Sequence, residues 1–120
     1  MASRLYSITV DARDPRKLAG FWAEVLGYER TFESEEGDEE YEVVLSPVDG
    51  SGNDILFGKA ADEKSVKNRI HFDLAPTDQA AEVERVLGLG ATKVDIGQGE
   101  PTWVVLADPE GNEFCILTAR

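Results

Sequence analysis

The first residues alternate between apolar and polar side chains, which is the pattern of a half-buried strand. In the segment 5–11, Ile8 and Val10 lie on one side of the alternation and Ser7 and Thr9 on the other. Successive side chains of a strand point to opposite faces, so Ser7 and Thr9 should share the face that does not pack on the core.

The spacing of apolar residues then changes from two to three or four, which predicts a helix. Asp14 can cap its first turn, Pro15 suits the first helical position and Gly27 is a suitable left-handed terminator. The apolar stripe comprises Leu18, Phe21, Trp22, Val25 and Leu26. Strands are predicted near 28–34, 41–47 and 54–59.

The same plan occurs a second time, because residues 6–29 are echoed at 70–92 and Asp14 and Asp78 are 64 positions apart. The second copy predicts a strand at 69–75, a helix from a Thr77 or Asp78 cap to about Leu87, and strands near 91–96, 102–107 and 113–118. We therefore expect one α+β domain over residues 1–120, built from two βαβββ modules, 4–59 and 69–119, joined by a polar connector, 60–68.

Composition and charge exclude several classes of function. The chain has 120 residues, 42% of them hydrophobic, and a formal net charge of −12, which disfavours nucleic-acid partners. It has no apolar run of membrane length and no recognisable export leader, and its one cysteine, Cys115, agrees with a cytoplasmic location. Seven acidic residues between Glu33 and Glu42 predict a solvated loop, with a cation-attracting rim as the alternative.

The duplicated module and the phrase Val104–Phe114, with its Asp-Pro-Glu-Gly-Asn turn before a final apolar strand, resemble the vicinal oxygen chelate superfamily. That superfamily includes glyoxalase I, extradiol dioxygenases and the bleomycin and fosfomycin resistance proteins, and the chain is most similar to its short glyoxalase-like branch. The resemblance implies a curved, mostly antiparallel sheet with helices on its outer face, and a homodimer.

Metal-dependent members of this superfamily hold a divalent ion with a His or Gln early in each module and a Glu late in each. Carried over by position, these ligands fall on Ser7, His71, Cys115 and either Leu56 or Gly58. Only His71 and Cys115 could ligate strongly, whereas a metal site normally has three or four protein ligands. We therefore expect no metal and no cofactor, although Asp73 and Glu113 share strand faces with His71 and Cys115 and make a rebuilt site conceivable.

Strand alternation selects the residues of a candidate pocket. Phe72 and Leu74 should pack under the helix, which directs His71 and Asp73 to the open face, and the same argument places Glu113 and Cys115 there. The predicted ligand-binding residues are Ser7, Thr9, His71, Asp73, Trp103 and Cys115. Trp103 is equally compatible with the core and with the mouth of a pocket.

Two of these residues have both a structural and a chemical interpretation. His71, the only histidine, is either satisfied by Asp73 or the backbone, or acts as an acid–base or hydrogen-bonding group and is the candidate catalytic residue. Cys115 is either a buried, inert thiol or a nucleophile with His71 as its base.

The sequence thus favours a metal-independent protein that binds a small molecule, with an acidic surface suited to a cationic ligand. The alternatives are a metal-dependent lyase, isomerase or dioxygenase, a metal-free enzyme that uses His71, and a protein whose role lies in assembly.

Overall fold

Each half of the chain folds around its own four-stranded sheet and one helix. The computed structural model describes residues 2–120, which group into two units, one ending at Glu63 and the other running Lys64–Arg120. The boundary between the units falls inside the predicted connector 60–68. The α+β class with two βαβββ modules is confirmed, and the strands form two sheets of four, one for each module.

The first unit follows the predicted order of elements closely. Its elements are β1 (Ser7–Ala12), α1 (Pro15–Leu26), β2 (Tyr28–Glu33), β3 (Glu42–Pro47) and β4 (Asp54–Lys59). The strand order is β1-β4-β3-β2, with β1 parallel to β4 and the other pairs antiparallel. A parallel pair needs a long crossover connection, and this one includes α1.

Helix α1 begins and ends where its capping residues predict. The Asp14 carboxylate accepts a hydrogen bond from the Lys17 amide at 3.2 Å, and Pro15 occupies the first turn. Gly27 ends the helix with φ of 68°, a left-handed conformation that favours glycine. Trp22 is 2% exposed, so its predicted place in the core is confirmed.

The second unit repeats this arrangement with shorter strands. Its elements are β5 (Phe72–Leu74), α2 (Gln79–Gly88), β6 (Thr92–Lys93), β7 (Val104–Ala107) and β8 (Glu113–Ile116). The strand order is β5-β8-β7-β6, and β5 is parallel to β8. Asp78 is the cap of α2, since its carboxylate accepts from the Ala81 amide at 3.1 Å.

Three strands of this unit are shorter than predicted, so their predicted ends are wrong. The strand expected near 91–96 is reduced to Thr92–Lys93 because the chain turns immediately afterwards. There the Asp95 carboxylate accepts from the Gly97 amide at 2.8 Å, and Gly97 adopts a φ of 83°. The strand expected at 69–75 begins only at Phe72, and the strand expected near 102–107 begins only at Val104.

In each unit one face of the sheet is apolar. The most deeply buried side chains are Leu18, Val43, Leu45 and Phe57 in the first unit and Val86, Leu106, Phe114 and Ile116 in the second. Among residues 2–120, neither helix is long and apolar enough to cross a membrane.

A buried aspartate organises the turn that positions β8. Asp108 is 4% exposed, and its Oδ1 accepts hydrogen bonds from the amides of Glu110 at 2.9 Å and Asn112 at 3.0 Å. The Asn112 side chain also donates to Asp108, and Gly111 has a φ of 89°. This turn therefore fixes where β8 begins, and with it the register of β8 against β7.

We expect Asp108→Ala to lower the free energy of unfolding by about 1–3 kcal/mol, because it leaves partly buried amides without their acceptor. Urea unfolding monitored by tryptophan fluorescence measures the loss. Asp49→Ala is the matched control, since Asp49 makes a similar turn with Ser51 but is exposed. Equal losses at the two positions would show that burial of the Asp108 carboxylate is unimportant.

Candidate functional site

Three of the predicted site residues meet on the second sheet. Potential ligand atoms of His71, Asp73 and Cys115 all lie within 4.8 Å of one another. His71 Nε2 is 3.2 Å from Asp73 Oδ1, so the predicted partnership of these two side chains is present. These three residues are called the His71 cluster below.

The parallel pairing of β5 with β8 produces the His71 cluster. Asp73 is registered opposite Cys115, whereas the flanking pairs Phe72–Phe114 and Leu74–Ile116 lie on the opposite face. Phe114 and Ile116 are almost fully buried, while the side chains of His71 and Asp73 are 40% and 53% exposed. The alternation therefore separates a packed face from a face with polar groups, as the sequence predicts.

Cys115 has the properties of an unreactive thiol rather than a nucleophile. It is 5% exposed, and its pKa is raised by burial and further by the negative charge and hydrogen bonding of Asp73. Thiol nucleophiles react as thiolates and need a lowered pKa. The geometry therefore supports the interpretation of Cys115 as a buried thiol and gives no support to a cysteine–histidine nucleophile.

Sequence reasoning missed an ion pair beside the His71 cluster. Glu113, two positions before Cys115 in β8, accepts a hydrogen bond from Lys64 Nζ at 2.6 Å. Burial alone would raise the pKa of Glu113, but the hydrogen bonds from Lys64 and from backbone amides hold it below its usual value. The lysines of the connector indicated that acidic partners should lie nearby, but no local pattern identified Glu113 as the partner of Lys64.

Ser7 and Thr9 lie in the first unit, on one face of β1. Thr9 is registered beside Leu56 and Asp11 beside Gly58, so the position that corresponds to the fourth family ligand shares this face. Neither Leu56 nor Gly58 carries a donor side chain. That Ser7 and Thr9 converge with the His71 cluster on one surface stays a prediction.

Trp103 lies immediately before β7 and is 43% exposed. It is two positions from Val105, which is registered opposite Cys115. Its exposure argues against a place in the core, and a place at the mouth of a pocket stays a prediction.

The donor set of the His71 cluster suits one class of metal better than another. One imidazole nitrogen, one carboxylate oxygen and one thiol are ligands of zinc-type ions, whereas magnesium and manganese prefer oxygen. Three donors are also the number that a catalytic zinc site requires from a protein. The residues therefore fit a zinc-type ion, provided that the Cys115 thiol loses its proton on binding.

The first unit has a groove of about 370 Å³ at the start of α1, lined by charged residues of both signs. Arg16 and Tyr41 line it and form a network with Glu33: Arg16 Nε donates to Glu33 at 2.9 Å, and Arg16 Nη2 donates to Tyr41 Oη at 2.8 Å. Tyr41 Oη in turn donates to Glu33. The prediction of a solvated acidic stretch agrees with the exposure of Glu33 and of Glu35–Glu40. What the sequence did not predict is that Glu33 has specific partners in this network.

A bulge in β2 allows Arg30 to join this network. The pairing with β3 shifts between Arg30 and Phe32, so Arg30 is registered opposite Leu45 and Glu33 opposite Val43. Residues three apart in a regular strand face opposite ways, but this shift puts Arg30 and Glu33 on one face. Their side chains then form an ion pair at 3.2 Å.

The comparison with protein families decides the family. The model of the glyoxalase-like domain matches residues 7–117. The chain belongs to this family. No curated protein matches it in sequence.

Solved structures share the fold of this family member over its whole length. The fosfomycin resistance protein FosX from Mesorhizobium loti is 17% identical, with a TM-score of 0.73 over 100% of this chain and 94% of that one. FosX from Listeria monocytogenes, solved in complex with Mn(II) and a sulfate ion, is 20% identical with a TM-score of 0.73, over 100% and 95% of the two chains. A glyoxalase/bleomycin resistance protein/dioxygenase family enzyme from Burkholderia phytofirmans PsJN is 20% identical with a TM-score of 0.68, over 95% and 97%. These likenesses confirm the predicted fold, and the family match confirms the predicted resemblance to the glyoxalase-like branch.

We expect Glu33→Gln to remove part of the acid sensitivity of this glyoxalase-like domain. The hydrogen bond from Tyr41, with help from Arg16 and Arg30, holds the pKa of Glu33 below its usual value of 4.5 although desolvation opposes it. A lowered carboxyl pKa stabilises the fold above the unfolded-state value, and that contribution is lost as the pH falls through the folded-state pKa. The difference in the free energy of unfolding between wild type and variant should therefore be largest near neutral pH and should disappear as the pH falls below 4.5.

Urea unfolding at a series of pH values measures this difference. Glu35→Gln is the control, because the Glu35 side chain is exposed and lies outside the network. A difference between wild type and Glu33→Gln that is independent of pH would contradict the assignment.

Proposed function

We propose that this glyoxalase-like protein binds a small molecule without a metal, through the His71 cluster. The observation that carries the proposal is the placement of two half-exposed polar side chains, His71 and Asp73, beside the buried thiol of Cys115. A few polar groups on an otherwise apolar surface are typical of small-molecule sites, where they orient the ligand. Ser7, Thr9 and Trp103 complete the proposed ligand-binding set.

The chemistry of the family ligand positions supports metal independence. Ser7 and the Leu56 or Gly58 position cannot replace an imidazole and a carboxylate, so two of four family ligands are missing. The net charge of −12 and the exposed Asp73 favour a cationic ligand over an anionic one. We place the protein in the cytoplasm, a proposal supported by its unpaired cysteine.

A screen of small molecules by thermal shift tests the proposal, because a ligand at 100 times its dissociation constant adds about 2.7 kcal/mol to stability. For each hit we expect His71→Ala and Asp73→Asn to abolish the shift, since both remove polar groups of the site. Glu84→Gln is the control, because it neutralises an exposed carboxylate on α2. Hits that shift all variants equally would place the ligand elsewhere.

A metal-dependent enzyme of the superfamily, such as a lyase, isomerase or dioxygenase, is the second candidate, favoured by the proximity of the three donors in the His71 cluster. His71, Asp73 and Cys115 would hold the ion, which would supply Lewis-acid catalysis. Because one of these donors is a thiol, such a site would bind a zinc-type ion better than manganese, which prefers oxygen ligands.

We expect the purified protein to contain no stoichiometric zinc, nickel or iron in elemental analysis. Titration with Co(II) adds a spectroscopic test, because thiolate ligation of cobalt gives a charge-transfer band in the near ultraviolet. A band at one equivalent that is lost in both Cys115→Ser and His71→Ala would overturn metal independence and favour the enzyme.

We also propose a homodimer, as the superfamily resemblance implies. Phe32 is 52% exposed on the same face of the first sheet as the half-buried Val44, and a partner could cover this apolar surface. Sedimentation equilibrium measures the mass directly, and Phe32→Ser should weaken association. A wild-type protein that is monomeric at high micromolar concentration would remove this proposal.

A further inference from the structure

The connector residues Lys64–Asn68 are tied at both ends to the start of β8. Lys64 Nζ donates to Glu113 Oε1 at 2.6 Å, and the Asn68 amide donates to Glu113 Oε2 at 3.3 Å. The Asn68 side chain also donates to Asn112 at 3.1 Å. A single carboxylate therefore holds both ends of this five-residue segment.

The middle of the segment has no such attachment. Ser65, Val66 and Lys67 are exposed, and within residues 2–120 their side chains make no hydrogen bond or ion pair. The two ends are half-buried, and the side chains of Lys64 and Glu113 are only 22% and 9% exposed. The segment is thus a loop with two half-buried ends, and both ends are held in place by the carboxylate of Glu113.

The segment lies next to the His71 cluster. Glu113 and Cys115 are two positions apart in β8 and point to the same face, opposite Phe114. The charge of Lys67 acts to lower the pKa of the Cys115 thiol, although burial and Asp73 have the larger effects and raise it. On the same face Val105, Ala107 and Cys115 are all at most 5% exposed.

We propose that residues 64–68 form a latch, held shut by the Lys64–Glu113 ion pair, that controls access to the Cys115 side of the His71 cluster. The ion pair is suited to this role because a charge-assisted hydrogen bond with little exposure is stronger than a surface pair. Loss of Lys64 leaves a mostly buried carboxylate without its cation, which favours the open loop, where water can solvate Glu113. The latch concerns access to Cys115 and is independent of which ligand the cluster binds.

Cys115 reports this access directly because it is the only cysteine of the chain. The rate of its modification by the neutral reagent 4,4′-dithiodipyridine, at fixed pH and low urea, measures how often the face opens. Lys64→Met keeps most of the apolar length of the side chain and removes the charge, and Glu113→Gln removes the charge of the partner. Lys93→Met is the matched control, since Lys93 lies in the same unit, on β6, and is exposed.

We expect Lys64→Met and Glu113→Gln to raise the modification rate by about five- to thirtyfold, with Lys93→Met unchanged. In the double variant with the charges reversed, Lys64→Glu with Glu113→Lys, Cys115 should be modified more slowly than in Lys64→Glu alone. The accelerated rates should be nearly independent of urea below the unfolding transition, as local opening is. Wild-type rates in Lys64→Met, or rates that rise only in parallel with global unfolding, would overturn the latch.

A second measurement uses the wild-type protein and so does not depend on the variants folding. Native-state hydrogen exchange should show the Asn68 amide, which is bonded to Glu113, exchanging through a smaller opening than the Phe114 amide in β8. Equal protection of these two amides, each lost only on global unfolding, would show that the segment does not open by itself.

Discussion

The parallel pairing of the first strand of a module with its last strand is the constraint on which this structure depends. Such a pair cannot be closed by a tight turn, and in each module the chain between the two strands includes a helix that packs against the sheet. In the second module this pairing registers Asp73 against Cys115. Without it the three donors of the His71 cluster would have no reason to meet, because they come from opposite ends of the unit.

The sequence could predict this arrangement because each step relies on a local pattern. The helix stripe and its Asp14 and Gly27 caps define α1, and the repeat transfers the same plan to the second half of the chain. Period-two alternation then assigns Cys115 and Asp73 to the same face, and the repeat of the module is the reason to expect their strands to meet. The shortened strands of the second module were missed because Asp95 and Gly97 form a turn inside an apolar segment.

The interactions that sequence reasoning missed join residues distant in the chain or depend on an irregular register. Lys64 and Glu113 belong to the connector and the last strand, and their attraction follows from tertiary placement. Glu33 is exposed, as predicted for the acidic stretch, but the register shift in β2 also turns it towards Arg16 and Tyr41, which the sequence did not predict. Neither a bulge nor a long-range ion pair has a periodic signature in a single sequence.

The bulge in β2 also bears on aggregation. β2 is an edge strand of its sheet, and a regular, apolar edge is a template for strand addition by another chain. The register shift and the charged side chains of Glu29, Arg30 and Glu33 make β2 a poor template, and β6, the corresponding edge of the second sheet, has only two residues. Edge-to-edge association is therefore disfavoured at both strands, and a homodimer that covers Phe32 is expected to use the face of β2 and not its edge.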